Sequence, residues 1–428
     1  MAKRSNEEVQ SLLNFLDNAP TAWHAVDAIQ EELTKNHFEK LREEDLWEIK
    51  TGGKYFVERN GSSVCAFVVP TGKLSEVKVA ASHTDSPAFK LKPNAEFYKE
   101  NMVMFGVEIY GAPMLASWLN RDLGIAGRVV YSDKKGQIRE SVVRIDEHPV
   151  VIPQLAIHLD RSVNESGPVL HKQEHLAALA ALKAEEDEGS YLEKLLREKI
   201  DFKELLGADL FLFPLEKARL VGDHDMIASY RIDSLGSVKA ALDAFVSASK
   251  PAKEQMKMIV FWDNEEIGSS TAQGAGSPFF KQVLERICLV LKLGREDFFR
   301  LCKKSLCISI DLAHALHPNY ADKHEPRHQI LMNKGIVIKT SAQYRYASDA
   351  SSTAYIVDLC LKNKIPFQRF VSRGDIPAGS TIGPIHAHLT GMPTVDIGMP
   401  QLSMHSSREL MASQDYLNMS KLLKAVFK

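Results

Sequence analysis

No Cys-x-x-Cys pair, no basic block and no long apolar run occurs in this sequence of 428 residues, and each absence removes a class of function. The five cysteines, Cys65, Cys288, Cys302, Cys307 and Cys360, are an odd number. They fit neither a disulfide framework nor a thiolate zinc site, and are expected as reduced, mostly buried thiols. No Lys/Arg block is longer than Lys134-Lys135 or Lys303-Lys304, and 53 basic against 55 acidic residues leave a net charge of −2. Nucleic acid and anionic membranes are therefore not expected partners. No apolar stretch is long enough to span a bilayer, and the opening MAKRSNEEVQ lacks the apolar run of a signal peptide. The expected compartment is the cytoplasm. Internal repeats and low-complexity tracts are absent as well.

What is present is a globular composition, 45% apolar and 25% charged, which excludes disorder for most of the chain. Chains beyond about 250–300 residues split into domains, so two domains, or one domain with a large insertion, are expected. Val9, Leu12, Leu13 and Leu16 recur at helical period. A second helix, with Trp23, Val26, Ile29 and Leu33 on its apolar side, follows the break at Pro20-Thr21. Asn60-Gly61 marks a hairpin between Tyr55-Phe56-Val57 and the apolar run from Val64 to Val69.

From there one pattern recurs: a short apolar run ends in a polar residue able to bind metal. The run Val77–Ser82 meets His83-Thr84-Asp85, and Met226–Ile232 meets Asp233. Met258–Trp262 meets Asp263-Asn264-Glu265-Glu266, and Leu306–Ile310 meets Asp311. Helical patterns follow several of them, as with Val238, Leu242 and Phe245. Strands alternating with helices predict an α/β fold whose mostly parallel sheet is packed on both faces. Ligands of such sheets bind beyond the carboxyl ends of the strands, where these residues fall. Residues 93–225 lose the rhythm and hold strand-like pieces such as Arg128–Tyr131 and Glu140–Arg144, with a charged helix on Leu192, Leu195, Leu196 and Ile200. They are expected to form a β-rich domain inserted into a catalytic domain made of 1–92 and 226–428.

His83, Asp233, Glu266, Asp311 and His405 form the candidate metal set. Carboxylates mixed with imidazoles suit Zn²⁺, Mn²⁺ or Co²⁺. Five ligands exceed what one tetrahedral zinc needs and fit two ions if one carboxylate bridges. Such a pair can polarise a carbonyl and lower the pKa of water. Glu265 beside Glu266 allows one carboxylate to bind metal while its neighbour, pointing elsewhere, takes a proton. Asp85, two residues past His83, can accept the second ring N–H of that histidine and fix its tautomer. Plainer readings stand beside these. Asp311 fits a helix N-cap as well as a ligand. His158 alone reads as a packing residue, and Lys339 as a surface lysine lying along apolar groups. The 373–384 stretch lacks the Gly-Lys-Ser/Thr ending of a phosphate loop and reads as a tight turn whose glycines let backbone approach a substrate.

Five segments carry a resemblance to a known family: His83-Thr84-Asp85-Ser86-Pro87, Arg231-Ile232-Asp233-Ser234-Leu235, Asp263-Asn264-Glu265-Glu266-Ile267-Gly268-Ser269, the run Ser309 to Tyr320, and Met404-His405-Ser406. In that order and spacing the chain resembles the M18 metallo-aminopeptidases of the aspartyl aminopeptidase type, from the first helix through His405. The resemblance implies Asp233 as the bridging ligand, His83 and Asp311 on one ion, and Glu266 and His405 on the other. It implies Glu265 as the general base and Asp85 as the residue orienting His83. It also implies substrate contacts from His158, His314, Lys339 and Tyr346, with His158 acting on a neighbouring subunit. The inserted domain becomes a dimerisation domain, and dimers build a dodecamer. The expected substrate is a short peptide with N-terminal Asp or Glu, held by Lys339 or, as an alternative cation, Arg345. The same scaffold also carries metallo-deacylases and carboxypeptidases, and a silent assembly protein is a third reading.

Overall fold

The computed structural model describes residues 2–182 and 189–428. Two compact units result: Met1–Asp85 with Ala218–Met404 and Glu409–Lys428, and Ser86–Lys217 with His405–Arg408. The second unit begins at Ser86, ahead of the 93–225 stretch that breaks the sequence rhythm, and ends at Lys217, inside that stretch. The cause is strand pairing: Ala88–Lys99 already belongs to the second unit's sheet, whereas Arg219–Val221 pairs within the first.

The first unit is built on a twelve-stranded sheet. At its centre Gln255–Trp262, Glu76–His83, Leu306–His314 and Thr394–Leu402 lie side by side and run parallel. Ser63–Val68 pairs antiparallel on one flank, with Lys54–Arg59 beyond it. Glu409–Ala412, Met226–Ser229 and Arg219–Val221 follow antiparallel on the other. The sheet is thus mixed: the expected parallel pairing holds at its centre and in two outer pairs, Glu39–Leu41 with Lys54–Arg59 and Ile336–Lys339 with Phe367–Phe370, and the other pairings are antiparallel. Short returns cause this, because two-strand hairpins can join only antiparallel neighbours; the Asn60-Gly61 turn is one of them.

Period-2 alternation sorts the strand side chains onto two cores. Val64, Ala66, Ile259 and Phe261 pack on one face with Val9, Leu12, Ile29, Val238, Leu242 and Phe245. Cys65, Phe67, Val260 and Trp262 pack on the other with Trp47, Phe279 and Leu301. Both faces are therefore covered, which explains the near-continuous apolar runs of the central strands. Truncating Phe245, fully buried in the Ile232–Ser247 helix, to alanine would cost about 3–5 kcal/mol. All five cysteines are free and buried.

The second unit holds a six-stranded antiparallel sheet. Phe89, Phe105, Trp118, Ile125 and Leu212 are buried in it. Among the described residues no helix is long and apolar enough to cross a membrane.

Candidate metal centre

His83 is the last residue of Glu76–His83, and Trp262 of the parallel neighbour stands opposite it. The Asp263–Glu266 turn therefore leaves the sheet at the same level as His83. Asn264, at φ 61°, bends the chain into a single 3-10 turn over Glu265–Ile267. Its side-chain oxygen accepts hydrogen bonds from Thr271 (2.8 Å) and Gln273 (2.9 Å), which hold that bend. On the other side of the His83 strand, Ser309 stands opposite Ala81. Two residues beyond each come Asp311 and His83, on the same face by strand periodicity. Asp311 lies inside the strand Leu306–His314, not at its end, so it caps no helix. Asp233 enters the helix Ile232–Ser247 after Arg231, whose φ of 63° turns the chain.

These routes converge on His83, which is 2% exposed. Its Nε2 lies 3.4 Å from Asp233 Oδ1 and 3.5 Å from Asp311 Oδ1. Its Nδ1 lies 3.2 Å from the Asp85 carbonyl oxygen and 3.3 Å from Asp85 Oδ1. The acceptors at Nδ1 favour a proton there and leave Nε2 as the donor atom for a metal. Within the first unit His83, Asp233 and Asp311 form one group, and His83, Glu265 and Glu266 a second, with ligand atoms within 4.8 Å of one another in each. Asp85 does more than touch His83. Its two carboxylate oxygens accept the backbone amides of Glu265 (3.2 Å) and Glu266 (3.1 Å). One buried carboxylate therefore ties a histidine to the turn that carries both glutamates.

The electrostatics are those of crowded carboxylates out of water. Burial, reinforced by the charge of Asp311, pushes the Asp233 carboxyl up to about 7. Burial also raises Glu265 well above the ordinary carboxylate range, against the pull of His83 and with the help of Glu266 and Asp311. Burial by itself would lower His83, but hydrogen bonds to Asp233, Asp311 and Asp85 win and raise it well above its usual value. Asp311 moves the other way, because Lys339 and His83 outweigh its burial. Like charges held this close in a dry site call for a divalent cation, which would relieve all of them together. The donor set, carboxylates and imidazole without a thiol, fits zinc or a neighbouring divalent metal.

The remaining expected residues fall in several places. Lys339 is 3% exposed, and its Nζ pairs with Asp311 Oδ2 at 3.0 Å. It is a buried partner of a candidate ligand, and the surface reading does not apply. Its Nζ also lies 5.5 Å from the ring centre of Tyr346. Arg345 is exposed. His314 is exposed at the end of its strand, its ring 6.5 Å from that of Phe370. His158 and His405 belong to the second unit. There His158 is exposed among Leu155, Ile157 and Leu159. The His405 Nδ1 hydrogen-bonds the Ala112 carbonyl at 3.1 Å. Sequence reasoning gave no role to Glu409 or Arg231. Glu409, 2% exposed, accepts the Asp233 amide at 2.9 Å. The Arg231 guanidinium, also buried, donates to the carbonyls of Ala19 and Thr84, bracing the residue next to His83. An acid opening the otherwise apolar strand Glu409–Ala412 was the available signal for the first.

Residues 15–427 match the family model described as aminopeptidase I zinc metalloprotease (M18). A probable M18 family aminopeptidase 2 of Clostridium acetobutylicum is 39% identical over 426 residues, covering 98% of each chain. Among solved structures, a chain of the Ape4 and Nbr1 complex superposes with a TM-score of 0.94 at 34% identity, over 99% of this chain and 86% of that one. A chain of the Saccharomyces cerevisiae mApe1 dodecamer gives 0.86 at 28% identity, over 99% and 97%.

Proposed function

Because the chain belongs to the M18 family of zinc metalloproteases, and is thereby a metallo-aminopeptidase, we propose that it uses two zinc ions to remove N-terminal Asp or Glu from short peptides. The observation carrying this reading is the meeting of buried His83 with buried Asp233 and half-buried Asp311 in one group, and with half-buried Glu265 and Glu266 in another. In this reading His83, Asp311 and Asp233 would hold one ion, and Glu266, His405 and Asp233 would hold the other. The hydrogen bond from His405 Nδ1 to Ala112 suits that ligand role, since it leaves Nε2 as the donor atom. Bound zinc supplies Lewis acidity to the peptide carbonyl and lowers the pKa of water.

The chain's own residues do the rest. Glu265 takes the proton from the attacking water and hands it to the leaving amine. Asp85 holds the Glu265 and Glu266 amides and the His83 ring in one arrangement. Tyr346, His314 and the partner subunit contributing His158 contact the peptide. Lys339 supplies the positive charge for an acidic first residue, which a pocket lined with carboxylates would otherwise repel. It does so while paired with Asp311, so the two anions share it.

The inserted unit drives assembly, through dimers, to a closed dodecamer that admits short peptides. Exposed Leu155 (59%), Ile157 (45%) and Leu159 (74%) around His158 support a covered surface there. The decisive experiment incubates the zinc-loaded protein with peptides that are N-free, N-blocked or C-blocked. Release of the first residue from N-free and C-blocked peptides alone is expected; cleavage of N-blocked peptides would overturn the reading. Sedimentation tests assembly. A stable monomer with full activity, unaffected by His158→Ala, would refute it.

A further inference from the structure

We infer that Asp396 is a positioning residue for the substrate pocket, clamping the segment that carries Tyr346 to the first turn of the helix Ile382–Thr390. The inference rests on the aminopeptidase reading, but the clamp itself is defined by contacts alone. Asp396 is fully buried in the strand Thr394–Leu402, opposite Ser309 and two residues before Gly398, which stands opposite Asp311.

Its Oδ2 accepts the Ala347 amide at 2.6 Å, and its Oδ1 accepts the Thr381 hydroxyl at 2.7 Å. Its own amide donates to Ser348 Oγ at 2.9 Å, and Ser348 Oγ returns a bond to the Asp396 carbonyl at 3.4 Å. One residue therefore bonds two consecutive positions after Tyr346 and the residue that begins the helix. Gly383 makes the approach possible: a Cβ there would lie 2.2 Å from Asp396 Oδ2. The carboxylate consequently sits against the first turn of the helix, where the peptide dipoles favour an anion. A second tie, Ser380 Oγ to the Arg345 carbonyl at 3.4 Å, joins the same two segments.

A carboxylate serving only the fold would have no need to anchor the residue beside Tyr346. Here the anchored segment presents the ring that faces Lys339, and Lys339 pairs with Asp311. Loosening the clamp frees Tyr346 and leaves the ligand set in place. Substrate binding then weakens more than turnover.

The experiment uses the full-length, zinc-loaded protein. In D396N the amide replaces one acceptor and removes the charge. KM for an N-free peptide is expected to rise about tenfold or more, as for a lost charge-assisted hydrogen bond. The turnover number and zinc content stay close to the parent. T381V, which keeps the side-chain shape without the hydroxyl, should raise KM likewise, and T381S should restore it. Hydrogen exchange without substrate should quicken at 345–348 and 380–384 and not at 263–267. That arm needs no activity, so an inactive parent enzyme would defeat the aminopeptidase reading and leave the clamp tested by exchange. Unchanged KM and exchange in T381V would overturn the inference. Equal loss of turnover, zinc and exchange protection throughout D396N would also overturn it, since Asp396 would then serve the fold alone.

Discussion

Asp85→Asn is the most searching single change, because the side chain keeps its shape and loses one acceptor. In the parent, Oδ1 receives the Glu265 amide and faces His83 Nδ1, while Oδ2 receives the Glu266 amide. Asparagine has one carbonyl oxygen and one NH₂ group. Whichever way the amide turns, a backbone N–H of the turn meets another donor. A buried donor left without an acceptor costs about 1–3 kcal/mol, or about 5- to 150-fold in an equilibrium or a rate. Loss of the residue that orients a metal-binding histidine typically costs about 10–100-fold in metal affinity or activity. Both arguments converge on a fall of about ten- to a hundredfold in kcat/KM with weaker zinc binding. The assay is a chelator competition for zinc together with kcat/KM at limiting and saturating metal. A deficit that survives saturating zinc reports the displaced Glu265; one that vanishes reports the candidate ligands that Asp85 holds, His83 and Glu266. Parental zinc affinity together with parental kcat/KM would refute the role given to Asp85.

Three further outcomes are expected. Glu265→Gln should lower turnover by about 10²–10⁴-fold with zinc retained, whereas Asp233→Ala should lose zinc; equal metal loss by elemental analysis would sink that division of roles. Lys339→Met should reduce kcat/KM for N-terminal Asp substrates more than for Leu substrates. An equal reduction would leave Lys339 as a holder of Asp311 only. His386, fully surrounded beside Phe280, is pushed by burial to about 4 from 6.5. Between these values the unfolded chain binds a proton and the native one does not, so stability is fully present above about pH 6.5 and falls as the pH drops towards 4. The loss is about 3 kcal/mol. His386→Leu should flatten this acid limb in urea melts at pH 7 and 4.5, and identical losses in parent and variant would contradict the assignment.

Local pattern made part of this protein legible in its sequence. The switch from apolar run to polar residue at Ser82-His83 and at Trp262-Asp263 is a chain-local event, and the structure puts both switches level on adjacent strands. The same reading erred wherever pairing, not pattern, decides. Antiparallel and parallel neighbours share the same apolar runs, so the mixed sheet was hidden. Asp311 was read as ending its strand, yet the strand runs on to His314, because a ligand needs only the face its periodicity allots it. The plainer alternative for Lys339, a surface lysine, fails because tertiary packing buries it on Asp311, 28 positions away, with Gly398 giving room for its chain. Asp396, Glu409 and the double grip of Asp85 depend likewise on partners far along the chain. Residue type and spacing determined which side chains could bind metal or move a proton. Only the fold decided which carboxylates stand together as candidate ligands and which accept backbone amides, since those partners, far apart along the chain, meet only once distant segments pack together.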